Sequence, residues 1–298
     1  MALSLISPIS LYGYYLRYCY TSSGLSQQSI QIDDETTLHF WGPQDPHPRK
    51  PSLVLIHGFG PAALWQWRKQ VQFFARKFNV YVPNLIFFGE STTKSDKRSE
   101  IFQAESVAKL LEKLGVEKYS VVGTSYGGFV SYHIARMWPE RVEKVVIASS
   151  GVNMRKRDNE ELIGKAKVEA IGDLMLPQKP SQLRALIKLA VTFPFLHLVP
   201  DLFLNDFINT LYRQNRSKKL ELLKGVTVAQ DQTVNISPLQ QEVLLVWGDR
   251  DKIFPVEMAK ELKGLIGKDV KLETIKGTSH VPQIEKSSQF NKILNAFL

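Results

Sequence analysis

The stretch VVGTSYGGFV, residues 121–130, runs from an apolar strand through a tight turn into the start of a helix. At its centre stands Ser125, with Gly123 two residues before it and Gly127 two residues after. A turn this sharp presses the flanking residues against each other and against neighbouring strands, where a Cβ has no room. The serine is left standing above a sheet end, and the helix dipole beneath it favours developing negative charge. A serine that merely caps a helix is the plainer reading. The strand before it and the helix after it favour a nucleophile elbow. A lone serine is a poor nucleophile, so the chain must also supply a base, an orienting acid and donors for an oxyanion.

Working outward, short apolar runs recur at 38–41, 53–57, 80–83, 119–123, 144–149, 243–247 and 270–275. Most are continuous and rich in Val, Ile and Leu, as strands covered on both faces should be. Amphipathic stretches near 62–77, 99–114, 126–137, 256–266 and 284–297 read as helices. The alternation predicts an α/β fold with a mainly parallel, doubly covered sheet. Between Val152 and Pro238 the rhythm stops, and helical patterns are broken by Pro177, Pro180, Pro194 and Pro200. We read a core over 30–152 and 239–298, an inserted helical cap over 153–238, and an N-terminal arm over 1–29.

Ligands of such sheets bind beyond the carboxyl ends of the strands. The strand at 53–57 leads into HGFG, and its glycines let an amide point into the site; Phe59 N–H and Tyr126 N–H are the candidate oxyanion donors. His57 reads as a structural histidine rather than the base. The strand at 243–247 ends in WGDRDKIFP, and Asp251 is better placed than Asp249 to orient an imidazole. The last strand is followed by KGTSHVP, whose His280 can take a proton from serine and return it near neutral pH. The chain order Ser125, Asp251, His280 is that of a hydrolase triad. His39, His47, His133 and His197 show no metal-ligand spacing, and we expect no metal and no cofactor.

The 298 residues carry a formal charge of +9 and one cysteine, Cys19. A single cysteine excludes an internal disulfide framework and fits a reducing compartment. The basic residues are scattered, with no nucleic-acid module signature, so nucleic acid is not an expected partner. No apolar run reaches membrane-helix length. The N-terminal MALSLISPISLYGYYLRYCYTSS makes a poor secretory signal and a weak transit peptide. It reads as an arm that packs on the domain or lies against a membrane surface. We expect a cytoplasmic protein, with weak peripheral attraction to anionic lipid as the membrane alternative; the oligomeric state is open.

HGFG, VPNLIFFGES, GTSYGGFVSYHIA, WGDRDKIFP and KGTSHVP together resemble the α/β-hydrolase superfamily, and within it the plant monoacylglycerol-lipase-like serine hydrolases. The likeness covers roughly residues 30–298. It implies an α/β-hydrolase fold with a mostly parallel, eight-stranded sheet and a helical lid. It also implies that Ser125, Asp251 and His280 form the triad, with Phe59 and Tyr126 as oxyanion donors. Asn84 departs from the pattern, where such proteins often carry Asp, and should alter local hydrogen bonding only. The expected reaction is cleavage of a small hydrophobic carboxylic ester through an acyl-enzyme. A lyase, an acyltransferase or a ligand receptor could own the same parts. Phe87, Phe88, Phe195 and Phe207 are candidate pocket walls; the cap aromatics could equally be the cap's own core.

Overall fold

The computed structural model describes residues 7–298. Residues 1–6 of the expected arm lie outside the described residues. The chain opens with α1 (Pro8–Thr21), capped by the Ser7 hydroxyl and started by a proline whose missing N–H costs nothing at that position. An antiparallel pair follows, β1 (Leu25–Gln31) and β2 (Thr36–Pro43). Then come β3 (Ser52–Ile56), α2 (Arg68–Phe74), β4 (Asn79–Pro83), the two-residue β5 (Thr92–Thr93) and α3 (Glu100–Lys113). The central units are β6 (Tyr119–Thr124), α4 (Tyr126–Met137) and β7 (Val142–Ala148). Five helices separate β7 from the next strand: α5 (Lys156–Ala166), α6 (Ile171–Met175), α7 (Pro180–Ala190), α8 (Asp201–Leu211) and α9 (Arg216–Lys224). The chain closes with β8 (Glu242–Gly248), α10 (Val256–Leu265), β9 (Val270–Ile275), α11 (Pro282–Glu285) and α12 (Ser287–Phe297).

The strands form one sheet in the order β1-β2-β4-β3-β6-β7-β8-β9, with β5 added beside β2. From β4 to β9 every pairing is parallel; β2 meets its neighbours antiparallel. Side chains alternate across the sheet, as the pleat requires. Val54 and Ile56 of β3 enter one core, while Leu53 and Leu55 enter the other. Val243, Leu245 and Trp247 of β8 divide from Leu244 and Val246 in the same way. Two buried layers therefore cover the sheet, and the helices between β7 and β8 make a third cluster around Leu183, Leu204 and Ile208.

The arm is more structured than its sequence suggested. Gly13, Leu16, Cys19 and Tyr20 of α1 are buried, and Leu25 to Ser29 already belong to β1. LSQQSIQ was not expected to be a strand because it lacks an apolar run. It needs none: β1 is an edge strand, paired with β2 alone and half exposed. Among the described residues no helix is long and apolar enough to cross a membrane.

Candidate active site

Ser125 joins β6 to α4 with φ +53° and ψ −123°, a left-handed backbone that a side-chain-bearing residue adopts only under strain. The surroundings enforce it. Ser125 N–H donates to Ala148 O at 2.9 Å, and Ser150 Oγ donates to Ser125 O at 2.6 Å. The two glycines are steric requirements. A Cβ on Gly123 would lie 2.1 Å from Gly127 O, and one on Gly127 would lie 2.3 Å from Ile56 O.

The turn after β3 is braced from two sides. Gln66 Oε1 accepts from Gly58 N–H at 2.9 Å, while its Nε2 donates to Gly58 O and Pro61 O at 3.1 and 2.7 Å. Among the described residues the Phe59 and Tyr126 amides donate no hydrogen bond. For Tyr126 this follows from its place in the first turn of α4, where amides lack intrahelical acceptors. His57 is fully buried, with Nδ1 2.8 Å from Gly58 O and Nε2 accepting from Leu85 N–H at 3.0 Å. Both ring nitrogens are used, and the pattern fixes the Nδ1–H tautomer. Burial pushes its pKa down to about 4, the bond to Gly58 O opposing and Lys219 assisting. His57 is thus neutral and committed to the loop, as its neighbours in sequence suggested.

Asp251 and His280 are brought together: His280 Nδ1 lies 3.0 Å from Asp251 Oδ2, with both residues buried. Because a carboxylate only accepts, Nδ1 carries the proton and Nε2 is the basic nitrogen. The other carboxylate oxygen accepts from the amides of Ile253 and Phe254 at 2.9 and 3.0 Å. Asp249 is exposed, and its Oδ1 takes the Gly277 N–H instead. The His280 loop is tied to α7, through His280 N–H to Ala190 O (3.1 Å) and Ser279 Oγ to Leu189 O (2.8 Å). Glu285 adds a clamp, accepting from Ser279 N–H and Thr192 N–H at 2.7 Å each. Phe254 links the two halves: its ring lies 5.4 Å from the His280 ring, and it lines a cavity with Ser125. A hydroxyl, an oriented imidazole and two free amides are the parts that acyl transfer needs.

A family model for the alpha/beta hydrolase fold matches residues 51–287. The chain belongs to this family. A 2-hydroxy-6-oxo-6-phenylhexa-2,4-dienoate hydrolase of Burkholderia cepacia is 25% identical over 255 residues, covering 83% of this chain and 87% of that enzyme. Human monoacylglycerol lipase ABHD6 is 23% identical over 99% of this chain and 88% of its own. Among solved structures, a bacterial membrane phospholipase A superposes with a TM-score of 0.80 at 20% identity, covering 97% of this chain and 91% of that one.

In this α/β-hydrolase chain the cavity beside Ser125 has a volume of about 120 Å³. Phe129, Leu162, Met175, Leu223 and Val226 form much of its wall, and Asn159 and Gln230 are its polar members outside the elbow; none of its lining residues is charged. The four aromatics expected as pocket walls lie elsewhere. Phe87 and Phe88 are buried in the core, and Phe88 packs edge-on against Phe59 and His57. Phe195 is 61% exposed, and Phe207 packs on Tyr212 inside the insertion. Apolar type alone does not say where a loop (Phe87, Phe88, Phe195) or one face of a helix (Phe207) turns its side chains. Asn84 takes the Ala63 N–H through its side chain and the Ser91 hydroxyl through its carbonyl. Gln66, Glu285 and the α7 contacts carried no sequence signal, because each joins segments distant in the chain or in a loop of free geometry.

Proposed function

We propose that this protein is a serine hydrolase that cleaves carboxylic esters with a hydrophobic acyl or alcohol part, within the plant monoacylglycerol-lipase-like branch. The uncharged, mainly apolar cavity beside Ser125 carries the reading. Ser125 Oγ attacks the acyl carbon while His280 Nε2 takes its proton. Asp251 steadies the imidazolium, and the Phe59 and Tyr126 amides hold the oxyanion. The ester C–O bond breaks as His280 passes the proton to the leaving alcohol. Water, deprotonated by His280, then attacks the acyl-enzyme and frees Ser125. Hydrolysis of a dienoate, the substrate in the Burkholderia relative's name, is less favoured, since no cation lines the cavity to meet its carboxylate. The helices α5–α9 serve as the lid.

The same reading includes a cytoplasmic protein that touches anionic membrane surfaces. Thirteen large apolar side chains are exposed in the described chain; five lie on α1, among them Tyr14 and Tyr18, and five between Phe193 and Phe203. Beside Phe193 runs a groove of about 850 Å³ whose wall includes Arg184, Lys188, Arg250 and Lys252 and no carboxylate. Aromatic side chains and clustered cations suit an anionic interface.

The test is covalent labelling of Ser125 by a fluorophosphonate together with turnover of p-nitrophenyl esters and monoacylglycerols. Both are expected and both are lost in Ser125→Ala. Labelling with no ester turnover would point to a receptor, lyase or acyltransferase.

A further inference from the structure

Lys219 lies on α9 and is 3% exposed. No carboxylate approaches its ammonium within 4.0 Å among the described residues; it sits 4.8 Å over the Phe88 ring. A buried ammonium without a counter-charge is strongly unfavourable, and a ring face replaces only part of what water or an anion would give. Lys219 also lines a second cavity, of about 360 Å³, enclosed by α1, the 84–90 loop and the α8–α9 region. Its lining shares no residue with the cavity beside Ser125. Arg17 of α1 supplies a second cation, and Tyr14, Thr210 and Gln214 supply donors. Glu90, the one carboxylate among the lining residues, is 66% exposed and lies 3.4 Å from His39 Nε2.

We propose that this cavity is a binding site for a small oxyanion, a carboxylate or a phosphate, held by the Lys219 ammonium with help from Arg17. The bound anion supplies the charge that Lys219 lacks. Desolvation lowers the Lys219 pKa only to about 8, so the ammonium is retained at neutral pH. The site abuts the catalytic loop without belonging to it, since Phe88 also meets Phe59 edge-on at 5.2 Å. The proposal does not depend on the esterase reading and is tested equally on Ser125→Ala.

Inorganic phosphate and acetate are titrated separately by calorimetry and by tryptophan fluorescence, because Trp41 and Trp65 line the cavity. One or both anions are expected to bind and to raise the melting temperature; phosphate alone or acetate alone supports the proposal and identifies the source chemistry. Lys219→Met is expected to weaken binding about tenfold or more, as loss of a charged donor does. It is also expected to melt higher than the parent without anion, because an uncompensated charge is gone. Arg17→Gln, on an exposed side chain that leaves the fold intact, is expected to weaken binding by a smaller factor. Binding of neither anion at millimolar concentration, or equal binding by Lys219→Met, overturns the proposal. So does a Lys219→Met protein that melts lower with its anion response unchanged, since the lysine is then only a packing element on Phe88.

Discussion

His57 makes the stability of this fold fall in mild acid, and the size of the effect can be worked out. In the fold its pKa is held at about 4 against an ordinary 6.5. The cause is geometric as well as dielectric: Nε2 accepts from Leu85 N–H, so a proton there would face another N–H inside a fully buried site. The folded pKa is the lower one. The contribution is therefore complete above pH 6.5 and is lost as pH falls from 6.5 toward 4, where the unfolded chain takes up a proton that the folded one refuses. The full gap corresponds to about 3 kcal/mol, and the part lost between pH 7 and pH 5 to about 2 kcal/mol. Urea unfolding at pH 7 and pH 5 measures it, comparing the parent with His57→Gln. Glutamine keeps a donor and an acceptor but does not titrate, so its own drop between the two pH values should be smaller by about 2 kcal/mol. An equal drop in both proteins, or an imidazole that titrates near 6.5 in the folded state by NMR, would refute the reasoning.

Asp251→Asn should reduce ester turnover by about 10⁴-fold, because its amide oxygen stays with the Ile253 and Phe254 N–H groups and its NH₂ donor then replaces the Oδ2 acceptor that fixes the His280 tautomer; Asp249→Asn should change it little, and the reverse order in steady-state kinetics would reassign the acid. Gly127→Ala places a Cβ 2.3 Å from the Ile56 carbonyl, a backbone atom that cannot step aside. It should cost about 4 kcal/mol or more, or prevent folding, by thermal unfolding. Sedimentation with vesicles should show binding to anionic but not neutral lipid, weakened by salt and by Leu198→Ser with Leu202→Ser; indifference to lipid charge would remove the membrane reading.

β3, β4, β6, β7 and β8 were legible because parallel strands covered on both faces must be continuously apolar, and the edge strand β9 was legible from the apolar positions of VKLETI that recur along a half-exposed strand. The elbow was legible because its glycines answer to contacts that any sheet of this kind makes. HGFG, WGDRD and GTSH could be placed at strand ends by spacing alone, and Asp251 could be preferred to Asp249 by its distance from the strand. What the sequence hid was lateral. The polar β1 gains its place from pairing with β2, and α1 buries Leu16 and Tyr20 on the domain while Leu11 and four tyrosines of the same helix stay exposed. The cavity walls were hidden for the same reason: whether Phe195 faces solvent or Met175 faces Ser125 depends on how α5 to α9 dock. Gln66 and Glu285 look like ordinary surface glutamine and glutamate until the loops they brace are in place.

The proposed nucleophile, acid and base, Ser125, Asp251 and His280, are borne at the ends of β6, β8 and β9, and β9 is held in the sheet by β8 alone. During refolding, a chain whose interior strands have paired owns the strained Ser125 but no imidazole to relieve it of a proton. Its competence should thus lag behind collapse and secondary structure, arriving with the docking of the outermost strand and of α7 against the loop beyond it. Recovery of turnover would then time the closing of one edge rather than the formation of the core. A stopped-flow trace of ester cleavage set beside tryptophan emission would separate the two clocks.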